Sequence, residues 1–237
     1  MADDISQRTK VLIGEDGVEA LRDSYVVLAG VGAVGGYALE GLVRAGVGHI
    51  KVIDADVFND TNLNRQILAT VNTIGQPKAI VAIERARSIN PDIDISAEME
   101  FVSEDTLPSL LSKKPDVLVD AIDTIQHKVS LLRYAATHDI VTYSSMGAAL
   151  HMDAEKIRIA NIMGTKVCPL ASSIRCKLRD VDTKHITCVY SEEKPIHVDM
   201  DRNEHGKSIL GSLPTIPAIF GMILANEAIK HIIGSKD

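Results

Sequence analysis

Between residue 25 and about residue 147, short apolar runs alternate with stretches of helical periodicity. Tyr25–Ala29, His49–Asp54, Asp116–Asp120 and Ile140–Ser144 read as buried strands, being short runs dominated by apolar side chains. Ile93, Ile95, Ala97 and Met99 alternate with polar residues and predict a more exposed strand. Helices are expected at Gly36–Ala45, stopped by Gly46, at Pro77–Asn90, stopped by Pro91, and at Gln126–Asp139. This β-α-β-α rhythm predicts an α/β fold, a Rossmann-like, doubly wound and mostly parallel sheet that binds ligands at the carboxyl ends of its strands.

After Gly147 the rhythm changes. Lys156–Met163 and His185–Ser191 alternate without long helices between them, which predicts antiparallel strands on one sheet edge joined by a flexible crossing loop. Pro214 and Pro217 then introduce a closing helix, Ala218–Ile233. We therefore expect a single domain over 1–237, with a nucleotide-binding core at 1–150 and an antiparallel extension and closing helix at 151–237. The sequence holds no internal repeat.

Composition adds exclusions. The 237 residues are 46% hydrophobic and carry a formal net charge of −7, which offers nucleic acid no general attraction, so an RNA partner would need a local basic patch. The N-terminus MADDISQRTK lacks a signal-peptide core, and the apolar stretch Ala218–Ala225 is too short to cross a bilayer, so no membrane partner and a cytoplasmic location are expected. Cys168, Cys176 and Cys188 form no C-x-x-C pair, which argues against structural zinc and against a secreted disulfide framework.

The chemistry begins with GVGAVGG, residues 30–36. Gly30, Gly32 and Gly35 form a G-x-G-x-x-G between a strand and a helix, the loop that lets phosphate approach backbone N–H groups. Asp54 ends the second strand, where an acid can grip a ribose. A nicotinamide site would need no more than this. However, Asp56 and the cluster TNLNRQ follow at once, and there Arg65 can neutralise developing phosphate charge. Lys78, in GQPKA, can reach back to the same phosphates. Asp120 and Asp123, in VDAIDT, end the fourth strand, where a carboxylate can hold Mg²⁺ against phosphate oxygens, and Asp123 is the preferred ligand. Two cations, an acid and a glycine loop on one rim suit attack of a carboxylate on the α-phosphate of ATP.

In order and spacing these motifs, G-x-G-x-x-G, Asp54/Asp56, N-x-x-R-Q at Asn62, Arg65 and Gln66, Lys78 and D-x-x-D ending at Asp123, resemble the ThiF/MoeB/HesA superfamily of ubiquitin-activating-like adenylyltransferases. The resemblance implies that Asp54 binds ribose, that Asn62, Arg65 and Lys78 bind phosphates, that Asp123 holds Mg²⁺, and that ATP is the nucleotide. It also implies a homodimer in which Arg8 enters the partner's site. CPLASSIRCKLR (168–179), CVYSEEKP (188–195) and GSLPTIPAIFGMILA (211–225) resemble the TcdA (CsdL) branch. That branch adenylates the threonyl carboxylate of N6-threonylcarbamoyladenosine in tRNA; an intramolecular nitrogen then closes a ring and expels AMP. A cysteine desulfurase or sulfur-acceptor system is a further partner to consider.

Three other readings stay open at this level. They are adenylation of the C-terminus of a ubiquitin-like sulfur carrier, a nicotinamide oxidoreductase, and a non-catalytic nucleotide-binding partner. Arg175, Lys177, Arg179 and Lys184 form the clearest basic run and are the expected tRNA contact. Cys188, in an alternating strand, is expected to be a small buried hydrophobe, and Cys168 to be exposed in a loop.

Overall fold

A computed structural model describes residues 5–196 and 210–234. A seven-stranded sheet runs through it in the order β3-β2-β1-β4-β5-β7-β6. The strands are β1 (Tyr25–Ala29), β2 (His49–Ile53), β3 (Asp94–Glu98), β4 (Val117–Asp120), β5 (Thr142–Ser145), β6 (Ile157–Asn161) and β7 (Ile186–Ser191). Every pairing from β3 across to β7 is parallel, and β6 closes the edge antiparallel to β7. The doubly wound, mostly parallel sheet is the one expected. β7 itself runs parallel to β5, so the antiparallel element is the β6–β7 pair alone.

Alternation along β1 shows why the sheet is covered on both faces. Val26 and Leu28 point into one core with α2 (Gly35–Ala45), α3 (Lys78–Ile89) and α7 (Thr215–Ile232). Val27 and Ala29 point into another with α4 (Leu107–Leu110) and α5 (Ile125–Thr137). Each fully buried Val, Leu or Ile contributes about 1.5–3 kcal/mol. These runs therefore stay apolar on both faces, as parallel strands require. α2 and α7 approach closely because Gly221 has no side chain. A Cβ there would lie 2.3 Å from the Val34 carbonyl oxygen.

Three helices lie outside the sequence expectation, the short α4 among them. α1 (Gln7–Asp23) precedes β1 and breaks at Gly14, whose φ of 77° no other residue type adopts freely. Its mixture of charged and apolar positions on either side of that glycine hides the helical period. The segment between β6 and β7, expected to be a flexible crossing loop, contains α6 (Pro169–Lys177). Ala171, Ile174 and Leu178 lie on one face at helical spacing and bury fully in a core with Leu132 of α5, Met146 just past β5, and Ile186, Cys188 and Tyr190 of β7. Cys168 lies in the same core and is buried, not exposed as expected; it ends the loop whose next residue, Pro169, starts α6.

Glu40 of α2 is buried and joins α2 to α3. It accepts hydrogen bonds from Arg44 (2.8 Å) and Arg85. Burial alone would push this carboxyl up, but the two guanidinium groups outweigh it and hold it below the ordinary carboxylate range. A depressed folded value means that the stabilisation is complete at neutral pH. It is lost as the pH falls past the ordinary glutamate value of about 4.3 towards the lower folded one. Urea midpoints measured from pH 7 down to pH 3 should therefore fall less steeply for Glu40→Gln than for the unaltered protein. Parallel acid limbs would refute this.

Candidate active site

The strand order reverses between β1 and β4, so the connections leaving their carboxyl ends run to opposite faces and open a crevice at that rim. The glycine loop leaves β1 there. Gly30 has a φ of 86°, and a Cβ on it would lie 2.9 Å from the Ala121 carbonyl oxygen, just past β4. A Cβ on Gly35 would lie 1.9 Å from the Gly30 carbonyl oxygen. The protein itself thus requires glycine at both positions. Gly32 differs: among the described residues a Cβ there meets nothing nearer than Gln66 Nε2 at 3.8 Å, which leaves the space above it to a ligand. No side chain caps α2, which leaves its first-turn N–H groups without a side-chain acceptor.

Asp54 follows β2 and faces this loop. Its Oδ2 accepts the Val31 N–H at 2.8 Å and its Oδ1 the Asp56 N–H at 2.9 Å. Burial pushes the Asp54 carboxyl above its usual value, against the opposing pull of those N–H groups and of Lys78. Lys78, at the start of α3, is buried, and its ammonium donates to Asp56 Oδ2 at 3.0 Å above the Phe58 ring. The Lys78 N–H also donates to the Asp56 carbonyl, 2.9 Å away. Asp54, Asp56 and Lys78 therefore form one connected group beside the glycine loop.

The N-x-x-R-Q cluster packs under the same loop through a single turn of 3-10 helix, Asp60–Asn62. Asn62 is buried and accepts the Asn59 N–H. Gln66 is buried against Gly32, and its Oε1 has no hydrogen-bond partner among the described residues. Arg65 is half-buried, with Nη1 donating to the Thr61 carbonyl and to Asn64 Oδ1, both at 2.8 Å. Asn64, absent from the sequence-level site, thereby orients Arg65 and also donates to the Ser212 carbonyl at 3.0 Å. Its place between two site residues was the available signal.

Asp123 is exposed, and its only hydrogen bond among the described residues is from the neighbouring Thr124 hydroxyl. Asp120, the other carboxylate of the motif, is fully buried against Lys128 and cannot meet a solvated cation. No three His, Cys, Asp or Glu side chains cluster as a metal cage among the described residues. An open carboxylate such as Asp123 fits Mg²⁺ that keeps waters and takes its remaining ligands from phosphate. Exposed Met99 and Phe101 stand just past β3, whose Glu98 carbonyl accepts the Asp54 N–H, so apolar surface lies beside the Asp54 rim.

Other expected features stand apart. Arg8 is exposed on α1 and makes no hydrogen bond or ion pair among the described residues. Within the basic run, Arg175 donates to Thr165 and exposed Lys184 pairs with Asp139 and Asp182, while Lys177 and Arg179 are exposed and make no ion pair among the described residues. Cys188 is buried, and burial pushes its thiol far up, as suits a core hydrophobe rather than a nucleophile. A 340 Å³ depression lined by Asp23, Asp116 and His231 lies at the opposite end of the sheet and takes no part.

The ThiF family model matches residues 6–237. The chain belongs to the ThiF family. Among curated relatives, the tRNA threonylcarbamoyladenosine dehydratase of Bacillus subtilis is 34% identical over 237 residues, covering 95% of this chain and 93% of the relative. The Escherichia coli enzyme, TcdA, is 29% identical in its solved structures. Its AMP complex superposes with a TM-score of 0.88, covering 98% of both chains. Its ATP complex superposes with a TM-score of 0.87, covering 96% of this chain and 93% of that one. A ThiF-family chain with near-complete coverage of a dehydratase crystallised with ATP has its glycine loop, Asp54, Asp56 and Lys78 on one rim.

Proposed function

We propose that this chain is an ATP-dependent tRNA threonylcarbamoyladenosine dehydratase. The observation that carries the reading is Lys78. Its ammonium is buried beside the glycine loop and held by Asp56, a position with a use in phosphate binding and none in hydride transfer. The similarity to dehydratases along nearly the whole chain gives the substrate class.

In this reading Asp54 takes the ribose hydroxyls, and the glycine loop with Lys78 takes the phosphates. Asn62 takes phosphate with them, and Gln66 lies against Gly32 of the loop. The threonyl carboxylate attacks the α-phosphorus, the bond to the β-phosphate oxygen breaks, and pyrophosphate leaves. Arg65 neutralises the charge that builds on the α-phosphate oxygens. Mg²⁺, when bound, supplies charge neutralisation to the phosphates, and Asp123 is the residue that would hold it. An intramolecular nitrogen then attacks the acyl carbon and AMP leaves, so the net loss from the nucleoside is one water. The fold supplies positioning and charge, not a covalent nucleophile. Two chains pair in this proposal, each lending Arg8 to the other, in the cytoplasm where tRNA is the substrate, with a sulfur-acceptor system as a further partner. No described helix is long and apolar enough to cross a membrane.

The test is incubation of the purified protein with ATP, Mg²⁺ and tRNA carrying N6-threonylcarbamoyladenosine. Nucleoside mass spectrometry should show loss of one water matched by AMP. ATP with Mg²⁺ at 100 times its Kd should stabilise the protein by about 2.7 kcal/mol, whereas NAD should not. Protection by NAD alone would return the site to an oxidoreductase.

A further inference from the structure

Asp120, at the end of β4, carries two sets of contacts on one carboxylate. Its Oδ2 accepts Lys128 Nζ from α5 at 2.5 Å and Ser144 Oγ from β5 at 2.6 Å. Lys128 Nζ also lies 3.3 Å from Ser144 Oγ. Its Oδ1 accepts the Ile122 N–H at 3.0 Å, closing the turn that leads to Asp123. Both members of the ion pair have side chains that are 0% exposed. Taking two charges fully out of water is costly. Apolar replacement of such a pair is often neutral or stabilising, so stability alone gives no reason to keep it.

Its place in the fold suggests another reason. Ala121, between Asp120 and the turn, is wedged into the glycine loop. Its carbonyl oxygen would lie 2.9 Å from a Cβ on Gly30, and its Cβ 3.2 Å from one on Gly35. One side of the Asp120–Asp123 segment is thus fixed to the loop beneath the phosphates, and the other to β5 and α5. The distance between the glycine loop and Asp123 depends on how this short segment is held.

We propose that Asp120 is a positioning residue, its Oδ1 fixing the Ala121–Ile122–Asp123 turn and so setting Asp123 against the glycine loop, while Lys128 balances its buried charge and Ser144 holds its other oxygen. The proposal rests on the adenylation reading for its consequence, because that reading gives Asp123 its task. The mechanical part stands on the turn alone.

Three variants of the full chain separate positioning from stability. Lys128→Met leaves the Asp120 charge buried without its partner and should melt well below the unaltered protein. Lys128→Met/Asp120→Asn removes both charges but keeps an oxygen for the Ile122 N–H. Lys128→Met/Asp120→Leu removes both charges and that acceptor. The two double variants should both regain most of the lost melting temperature. In the Asn variant the Ile122 amide should exchange with deuterium as slowly as in the unaltered protein; in the Leu variant it should exchange at least tenfold faster. For AMP formation, the Leu variant should lose roughly 10–100-fold in kcat and need more Mg²⁺ for half-saturation, with the KM for ATP little changed, while the Asn variant stays near normal. A Leu variant with unaltered amide exchange, or with unaltered kcat and Mg²⁺ dependence, overturns the proposal. So does equal impairment of both double variants. If the unaltered protein forms no AMP, the adenylation reading has failed, and the exchange of Ile122 still decides the positioning.

Discussion

Replacing Arg65 by alanine is expected to slow AMP formation by about 10²–10³-fold while leaving the protein folded, the loss seen when one aimed donor to a developing oxyanion is removed. The guanidinium is half-buried and spends only Nη1 on the protein, against the Thr61 carbonyl and Asn64 Oδ1. Both acceptors lie at the surface and return to water in the variant, so the melting temperature should move by no more than a few degrees. The remaining guanidinium N–H groups make no hydrogen bond among the described residues and are available to phosphate. Single-turnover release of AMP, with the tRNA substrate at saturation, is the measurement. A rate within threefold of normal would remove Arg65 from the chemistry and with it the adenylation mechanism as drawn. Asn64→Ala should show a milder form of the same loss, because Asn64 only aims the guanidinium.

Gly35→Ala is expected to damage fold and nucleotide binding together. The added methyl would stand 1.9 Å from the Gly30 carbonyl oxygen, a backbone atom that cannot rotate away, and 3.2 Å from Ala121 Cβ. Overpacking of this kind costs about 1–3 kcal/mol or more, and about 2–4 °C in melting temperature accompanies each kcal/mol in a chain of this size. A drop of roughly 5–10 °C should result, and protection by ATP should vanish because the loop that receives the phosphates has moved. Gly32→Ala is the informative contrast. Among the described residues nothing lies nearer than 3.8 Å to the new methyl, so the melting temperature should hold while ATP protection falls. Protection of both variants by ATP as strong as that of the unaltered protein would show that the phosphates do not lie on this loop.

The value of that contrast comes from the tertiary structure. From the sequence, Gly30, Gly32 and Gly35 are three equivalent glycines of one motif. In the fold, two are required by the carbonyls of Ala121 and Gly30, and only the third is left for the ligand. The pair Asp120 and Asp123 behaves the same way. Both end the fourth strand, and preference for Asp123 was all the chain could give. The fold separates them completely, because α5 brings Lys128 back over the end of β4 and buries it against Asp120.

Local order in the chain determined the rest. The apolar runs of β1, β2, β4 and β5, Gly46 in its left-handed C-cap at φ 98°, and Pro91 after α3 each state their element within a few residues. Residue type and spacing likewise named Asp54, Arg65 and Lys78, because phosphate and ribose chemistry needs those groups just past strand ends. What the sequence could not state depends on contacts between residues far apart in the chain. The burial of Cys168, the hydrogen bond of Arg175 to Thr165 and the pairing of Lys184 with Asp139 arise when strands β5 to β7 and their connections pack together, and Asn64, which orients Arg65, is itself held by the distant Ser212 carbonyl. A side chain's type fixes which bonds it can make. Which of those bonds is already taken, and so what is left for a substrate, is decided only when packing excludes water from some groups and leaves others open to it.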